Sequence, residues 1–309
     1  MSDAGRSFPP NSVAVAAVVV AAVLFGTSGT ARELGPDSAS SLSVGAARIT
    51  LGSLVLWIVV LANRRREPLP AGCDLRASWP LLAIGGAGVA VYTPLFFVAV
   101  DRTGVAIGTV VAIASGPFFA AGLDLVFRRV RPTATWLRGT LITVIGVTVL
   151  IVAVDSGSSG VDLLGVVAAL AAGFGYATYS VTSKATMERG LASTIALAIP
   201  FTIGVVVVLA LSVGESMHWI RTAGGVAMAL YLGVVATGVA YVLFGYGLRR
   251  LTSATAVTLV LAEPLTAALL AVIVLDEPIP WVGWIGVVAV MAGLALVGRS
   301  AGRAGQSSG

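Results

Sequence analysis

The chain has 309 residues, of which 57% are hydrophobic and 11% charged, with a mean hydropathy of +0.99. Soluble globular domains carry charge on about a quarter of their residues, so this composition excludes one and calls for a lipid environment. A net charge of +5 would raise nucleic acid as a partner in a soluble protein. Here the basic residues sort by loop instead, and no nucleic-acid partner is expected. The sole cysteine, Cys73, and sole histidine, His218, exclude a disulfide framework and a Cys/His metal centre.

Ten apolar stretches follow one another at 13–31, 41–62, 78–100, 105–127, 135–154, 162–183, 191–213, 223–247, 252–275 and 281–299. They are close to the roughly 20 residues a helix needs to cross a hydrocarbon core. The first is long for a secretory signal, has only Arg6 upstream and lacks a small-residue cleavage site, so it reads as the first membrane helix. With the N-terminus placed in the cytoplasm, fifteen of the nineteen basic residues fall on that side, among them Arg64, Arg65, Arg66, Arg128, Arg129, Arg131, Arg249 and Arg250. Arg32, Arg102 and Arg221 fall on the other, and Arg48 lies inside a span. This bias predicts a multi-pass protein of the cytoplasmic membrane with both termini cytoplasmic, residues 1–12 and 300–309 forming the tails. The six tryptophans lie near predicted span ends and read as an interfacial belt.

Pro117 and Pro264, Gly139 and Gly286, and Gly146 and Gly293 share one offset of 147 residues. The chain therefore reads as two copies, 13–154 and 162–299, of five spans each. Five is odd, so the second copy enters the membrane upside down. The expected fold class is an all-α integral membrane protein with ten transmembrane helices as two inverted five-helix repeats, an architecture used by secondary transporters.

Away from the first and last residues of the spans, the charged residues that call for explanation are Arg48, Asp124 and Glu263. A carboxylate near the middle of span nine costs roughly 2.5 to 3.5 kcal/mol to insert. Glu263 should therefore face a cavity or a partner, and Thr252, Thr255 and Thr266 share its helical face. It reads as a proton carrier or a counter-charge for a cationic substrate group, or as a buried structural acid. Arg48 sits at a depth from which it can pair with Glu263, or it snorkels outward. Asp124 can pair with Arg128 one turn on. Pro94, Pro117, Pro200 and Pro264 lie inside spans, and the repeat-related Pro117 and Pro264 are the hinge candidates. Tyr92 and Thr93, Ser115, Tyr176 and Tyr179, Tyr241, and Thr266 are candidate cavity-lining residues with aromatic faces or small polar tips. Gly104 and Gly108 have a GxxxG spacing that suggests either a homodimer or packing within the chain. No metal site, cofactor or nucleophile–base set is visible, and an enzyme is not expected.

The run Ala262-Glu263-Pro264-Leu265-Thr266-Ala267-Ala268, followed by Leu275-Asp276-Glu277-Pro278 and then Gly286 and Gly293, resembles the drug/metabolite transporter superfamily, specifically its EamA-type members. The first half holds a degenerate version in Ser115-Gly116-Pro117-Phe118-Phe119, Arg131-Pro132 and Trp136, with Gly116 where the second copy has Glu263. The resemblance implies a permease of the cytoplasmic membrane that exports a small-molecule substrate, such as an amino acid or related compound, by alternating access. It places the cavity between spans one to four and six to nine, with protons as a candidate coupling ion. An importer of the same fold and a non-transporting structural subunit are the alternative readings.

Overall fold

The computed structural model describes residues 11–63, 75–154, 162–276 and 278–304. Arg6, Arg64, Arg65, Arg66, Cys73, Glu277 and most of both tails lie outside the described residues. Those described form helices and connecting links, with no strand among them. Ten helices are long and apolar enough to cross a membrane: α1 (Asn11–Glu33), α2 (Ser41–Asn63), α3 (Leu75–Gly104), α4 (Ile107–Arg128), α5 (Ala134–Val154), α6 (Leu163–Glu188), α7 (Ser193–Leu211), α8 (Ala223–Leu248), α9 (Ser253–Leu275) and α10 (Trp281–Ala301). The last helix continues to Ala304, beyond the expected start of the C-terminal tail.

Local sequence explains where the helices end. The chain turns from α3 into α4 at Gly104, whose φ of 80° and ψ of 163° suit a residue without Cβ. Gly108 then packs on the α3 backbone, its Cβ position lying 3.0 Å from Ala99 C and Val100 N. The Gly104/Gly108 spacing thus serves this turn within the chain. Arg129 (φ 55°) terminates α4 and Asp276 (φ 57°) terminates α9. These two are again 147 apart, so the duplication extends to the backbone of the helix ends.

The glycine pairs of the two copies face each other. A Cβ on Gly146 would meet Gly286 O at 2.9 Å, and one on Gly286 would meet Gly146 O at 2.7 Å. Gly293 lies likewise against Gly139 O at 2.6 Å, and Gly139 against Gly293 O at 3.0 Å. Residue numbers rise on α5 as they fall on α10, so the closing helices of the two repeats pack antiparallel at a separation only glycine permits. Across the two halves, Gly88 and Gly175 bring α3 and α6 into the same kind of contact.

Two helices are irregular. In α8 the stretch Tyr231–Val239 is a π-helix of nine residues. In α9 the helix runs Ser253–Leu259, breaks at Val260 and Leu261, and resumes as Ala262–Leu275. Pro264 is the third residue of the resumed helix, where its missing N–H breaks no intrahelical bond. Glu263 N–H donates to Val260 O at 2.8 Å and closes the joint. Pro117 leaves α4 continuous: among residues 75–128 the only non-helical backbone is at Gly104. The two repeat-related prolines therefore sit in different backbone settings.

Two tryptophans depart from the expected belt. Trp219 and Trp136 are buried, and Trp219 Nε1 donates to Ser43 Oγ at 2.9 Å. Trp79, Trp281 and Trp284 are exposed on the helix bundle.

The α5–α10 contact gives a direct test. Gly146→Ala and Gly286→Ala each force a methyl against a backbone carbonyl, and each is expected to cost about 1 to 3 kcal/mol. Thermal melting of the purified variants in detergent reads this loss.

Candidate functional site

A cavity of about 480 Å³ lies in the bundle and is lined from α1, α2, α3, α4, α6, α7, α8 and α9; α5 and α10 contribute nothing to it. Arg32, in the last turn of α1, and Ser41, the first residue of α2, mark the end it reaches. Its interior carries Arg48 on α2, Glu263 at the α9 joint, and a wall of aromatics that includes Phe25, Tyr92, Phe96, Phe97, Tyr176, Phe201 and Tyr241. Its volume lies within the range of small-molecule sites, and its mix of many apolar groups with few polar ones matches them too.

Of the residues singled out in the sequence, Arg48, Glu263, Tyr92, Thr93, Tyr176 and Tyr241 line this cavity. Ser115, Tyr179 and Thr266 do not. Ser115 Oγ donates to Ala112 O at 3.1 Å and lies where α4 meets Gly173 of α6. Thr266 Oγ1 donates to Ala262 O at 3.0 Å, and its Cβ packs on Gly26 of α1. Both are spent on close helix contacts. Tyr179 is buried behind the wall, its ring centroid 5.7 Å from Phe201 and 6.1 Å from Tyr241. With Phe244 it forms a plug beyond Tyr176 and Tyr241, at the end of the cavity away from Arg32.

Arg48 and Glu263 share the cavity without forming an ion pair. Among the described residues the pairs within 4 Å are Arg102–Asp162, Arg128–Asp124, Arg128–Glu188 and Lys184–Glu188. The reason lies in α8: Arg48 Nε donates to Thr237 Oγ1 at 2.8 Å, and Thr237 in turn donates to Leu232 O at 2.7 Å, five residues back. The wide turn of the π-helix provides that geometry. Gly52 lets α2 come against Thr237, completing the approach. One side of the guanidinium is thus fixed and the rest is left to the cavity. Thr237 went unnoticed in the sequence because a π-helix leaves no hydropathy signal. Its position one turn before Tyr241 is the clue that was available.

Glu263 occupies the first turn of the resumed α9 helix. Unpaired N–H groups and the positive end of the helix dipole favour an acid there. Ser28 also lines the cavity, with a buried hydroxyl that has no partner.

At the other end of the bundle a charged cluster joins the two halves. Asp124 is 1% exposed; it pairs with Arg128 and accepts from Ala254 N–H at 3.2 Å. Arg128 also pairs with Glu188 and donates to Ser253 Oγ at 3.3 Å. Lys184 Nζ donates to Arg249 O at 2.8 Å. The link between α8 and α9 is therefore held from α4 on one side and α6 on the other. Near the opposite end, Asp162 caps α6 by accepting from Leu164 N–H at 2.8 Å and pairs with Arg102 at 3.1 Å. These two contacts hold its carboxyl below the usual range.

Ten apolar helices in two antiparallel halves around a central cavity define a multi-pass membrane transporter fold. The EamA-like transporter family model matches residues 12–152 and 163–299, and the chain belongs to that family. A transporter named YwfM from Bacillus subtilis (strain 168), of uncharacterized function, is 36% identical over 280 residues, covering 91% of this chain and 92% of that one. A probable terminal-alkyne amino-acid exporter from Streptantibioticus cattleyicolor is 27% identical over 294 residues, covering 93% and 94%. A crystal structure at 20% identity superposes with a TM-score of 0.77 over 94% of this chain and 98% of that one, which shows a shared fold. Members of the family are transporters.

Two outcomes follow from this geometry. Thr237→Val should release Arg48 and weaken solute binding about tenfold, the equivalent of one hydrogen bond to a charge, while Thr237→Ser retains affinity; equilibrium binding to the purified protein reads the difference. Asp124→Asn should lower stability by about 1 to 3 kcal/mol and leave solute affinity unchanged, as melting and binding on the same sample will show.

Proposed function

We propose that this protein is a secondary transporter that exports an amino acid or a related small metabolite across the cytoplasmic membrane by alternating access. The observation that carries the reading is the pair of opposite charges left unjoined in one cavity. Arg48 presents a guanidinium able to take a carboxylate in bidentate fashion, and Glu263 presents an acceptor for an ammonium group. The aromatic wall around them suits the apolar body of such a molecule. A zwitterion satisfies both charges at once, which neither a hydrocarbon nor a simple ion does. The name of the relative from Streptantibioticus cattleyicolor agrees with an amino-acid substrate.

The two ends of the bundle support alternating access. The cavity reaches the Arg32–Ser41 end, while the Tyr179–Phe244 plug and the Asp124–Arg128–Glu188–Lys184 cluster close the other. The bias of basic residues supports a cytoplasmic position for the closed, arginine-rich end and for both termini. The conformation is then open to the outside. Inward opening requires the cluster to part and the α8–α9 link to move, with the break beside Pro264 as hinge in the second repeat and Pro117 bending α4 in the first. Glu263 exchanges a proton for the substrate ammonium, which couples flux to the proton gradient.

Proteoliposome flux against a panel of amino acids tests the proposal, and counterflow distinguishes export from import. Glu263→Gln and Arg48→Ala should each lower flux roughly tenfold to a hundredfold, the loss of one charge-assisted bond. Glu263→Gln should also remove the response to an imposed pH gradient. Unchanged flux and unchanged pH response in both variants would sink the mechanism.

A further inference from the structure

A second crevice, of about 150 Å³, lies at the opposite end of the bundle from the mouth of the central cavity. Asn11, which opens α1, lines it, whereas Arg32, in the last turn of α1, lines the other. Its walls come from the ends of α1, α4, α5 and α10 and from the links before α5 and α9.

The lining is rich in donors and poor in acceptors. Arg131 and Arg250 both face it, and among the described residues neither meets a carboxylate within 4 Å. Arg250 lies over the Tyr246 ring at 3.8 Å and gives one terminal N–H to Tyr246 O at 3.1 Å, but its Nε is buried without an acceptor. Trp136 is 5% exposed and its indole N–H also lacks an acceptor. That residue sits in the first turn of α5, where backbone N–H groups gather and favour anions. The hydroxyls of Thr133 and Thr252 are spent locally, Thr133 accepting from the Trp136 backbone N–H at 3.1 Å and Thr252 donating to Thr255 Oγ1 at 2.8 Å, so the donors left over belong to Arg131, Arg250 and the Trp136 indole. The one acid in the lining, Asp124, is already taken by Arg128 and by Ala254 N–H.

Buried donors without acceptors are rare in native proteins and ask for a cause. Two guanidiniums, one of them with an orphan Nε, and an orphan indole N–H line one crevice with no free carboxylate to answer them, and describe a receptor for an anion with several acceptor oxygens. We propose that this crevice binds a phosphate group, carried by an anionic phospholipid or free in solution. The crevice lies at the ends of membrane spans, the level at which lipid headgroups stand, and clustered arginines there attract anionic ones. The site is separate from the central cavity and does not depend on what that cavity carries.

The test is thermal melting of the full-length protein in detergent, titrated in separate arms with phosphatidylglycerol, phosphatidylcholine and inorganic phosphate. Phosphatidylglycerol should raise the melting temperature saturably and phosphatidylcholine should not. The Arg131→Gln/Arg250→Gln double variant should need at least about tenfold more phosphatidylglycerol for the same shift, one charge-assisted bond being worth that much. Trp136→Phe keeps the ring and removes only the N–H, so it decides the matter if the double variant fails to fold; it should need several-fold more lipid. A saturable shift from inorganic phosphate alone, lost in the same variants, assigns the site to a soluble phosphate, whereas a shift from the anionic lipid alone assigns it to the headgroup. An equal response to phosphatidylcholine, or a midpoint unchanged in the variants, overturns the proposal.

Discussion

Hydrocarbon solvates neither a guanidinium nor a free backbone carbonyl, and this one constraint organises the whole chain. Several departures from apolar regularity within the spans meet a specific answer. The carbonyl released by Pro264 is taken by Glu263 N–H across the joint in α9. The wide turn of α8 is closed by the Thr237 hydroxyl, which then holds Arg48. Asp124 is neutralised by Arg128 and by the start of α9. Two charged groups left without an ion-pair partner among the described residues, Arg48 and Glu263, open onto the central cavity. The proposed site is the set of groups that the fold has left for a ligand to satisfy.

The duplication explains why a scaffold can be symmetric while its site is not. Helix ends and helix contacts depend on backbone geometry, so Arg129 and Asp276 cap equivalent helices and the four glycines of α5 and α10 interlock in register. The cavity depends on side-chain chemistry, and there the copies diverge. Glu263 of the second copy corresponds to Gly116 of the first, which packs near Val257 and Tyr176 instead of presenting a charge. One carboxylate serves the cavity, so a scheme with two symmetric acids has no footing in this chain.

Much of this was legible in the sequence because hydropathy and charge report directly on the solvent around each residue. The ten spans, the loop charges, and the membership of Arg48, Glu263, Tyr92, Thr93, Tyr176 and Tyr241 in one cavity all follow from asking where a polar group is tolerable. Sequence could not tell a hydroxyl that faces the cavity from one consumed by its own helix, which is why Ser115 and Thr266 were grouped with the lining residues and Thr237 was not. Tyr179 was misplaced for a related reason: an aromatic ring at the right depth serves equally as wall or as plug, and only packing decides. Trp136 and Trp219 lie at span ends as an interfacial belt requires, but their neighbours bury them, and burial is a property of tertiary contacts.

The asymmetry within α9 carries the last step. Every residue of its first segment, Ser253–Leu259, is buried, and the charged cluster grips that segment at Ser253 and Ala254. In its second segment, Ala262–Leu275, only Ala262 and Pro264 are buried. A break between a clamped, fully buried half and a half that lies nearer the bundle surface concentrates bending at Val260 and Leu261, because the interior of each helix resists it through its own hydrogen bonds. Glu263 stands immediately beyond that break. A small rotation of the second segment therefore changes the carboxylate's position relative to Arg48, which is anchored on α2 and α8. The separation of the two charges is set by how the joint is bent, and any ligand that bridges them acts on the joint as well.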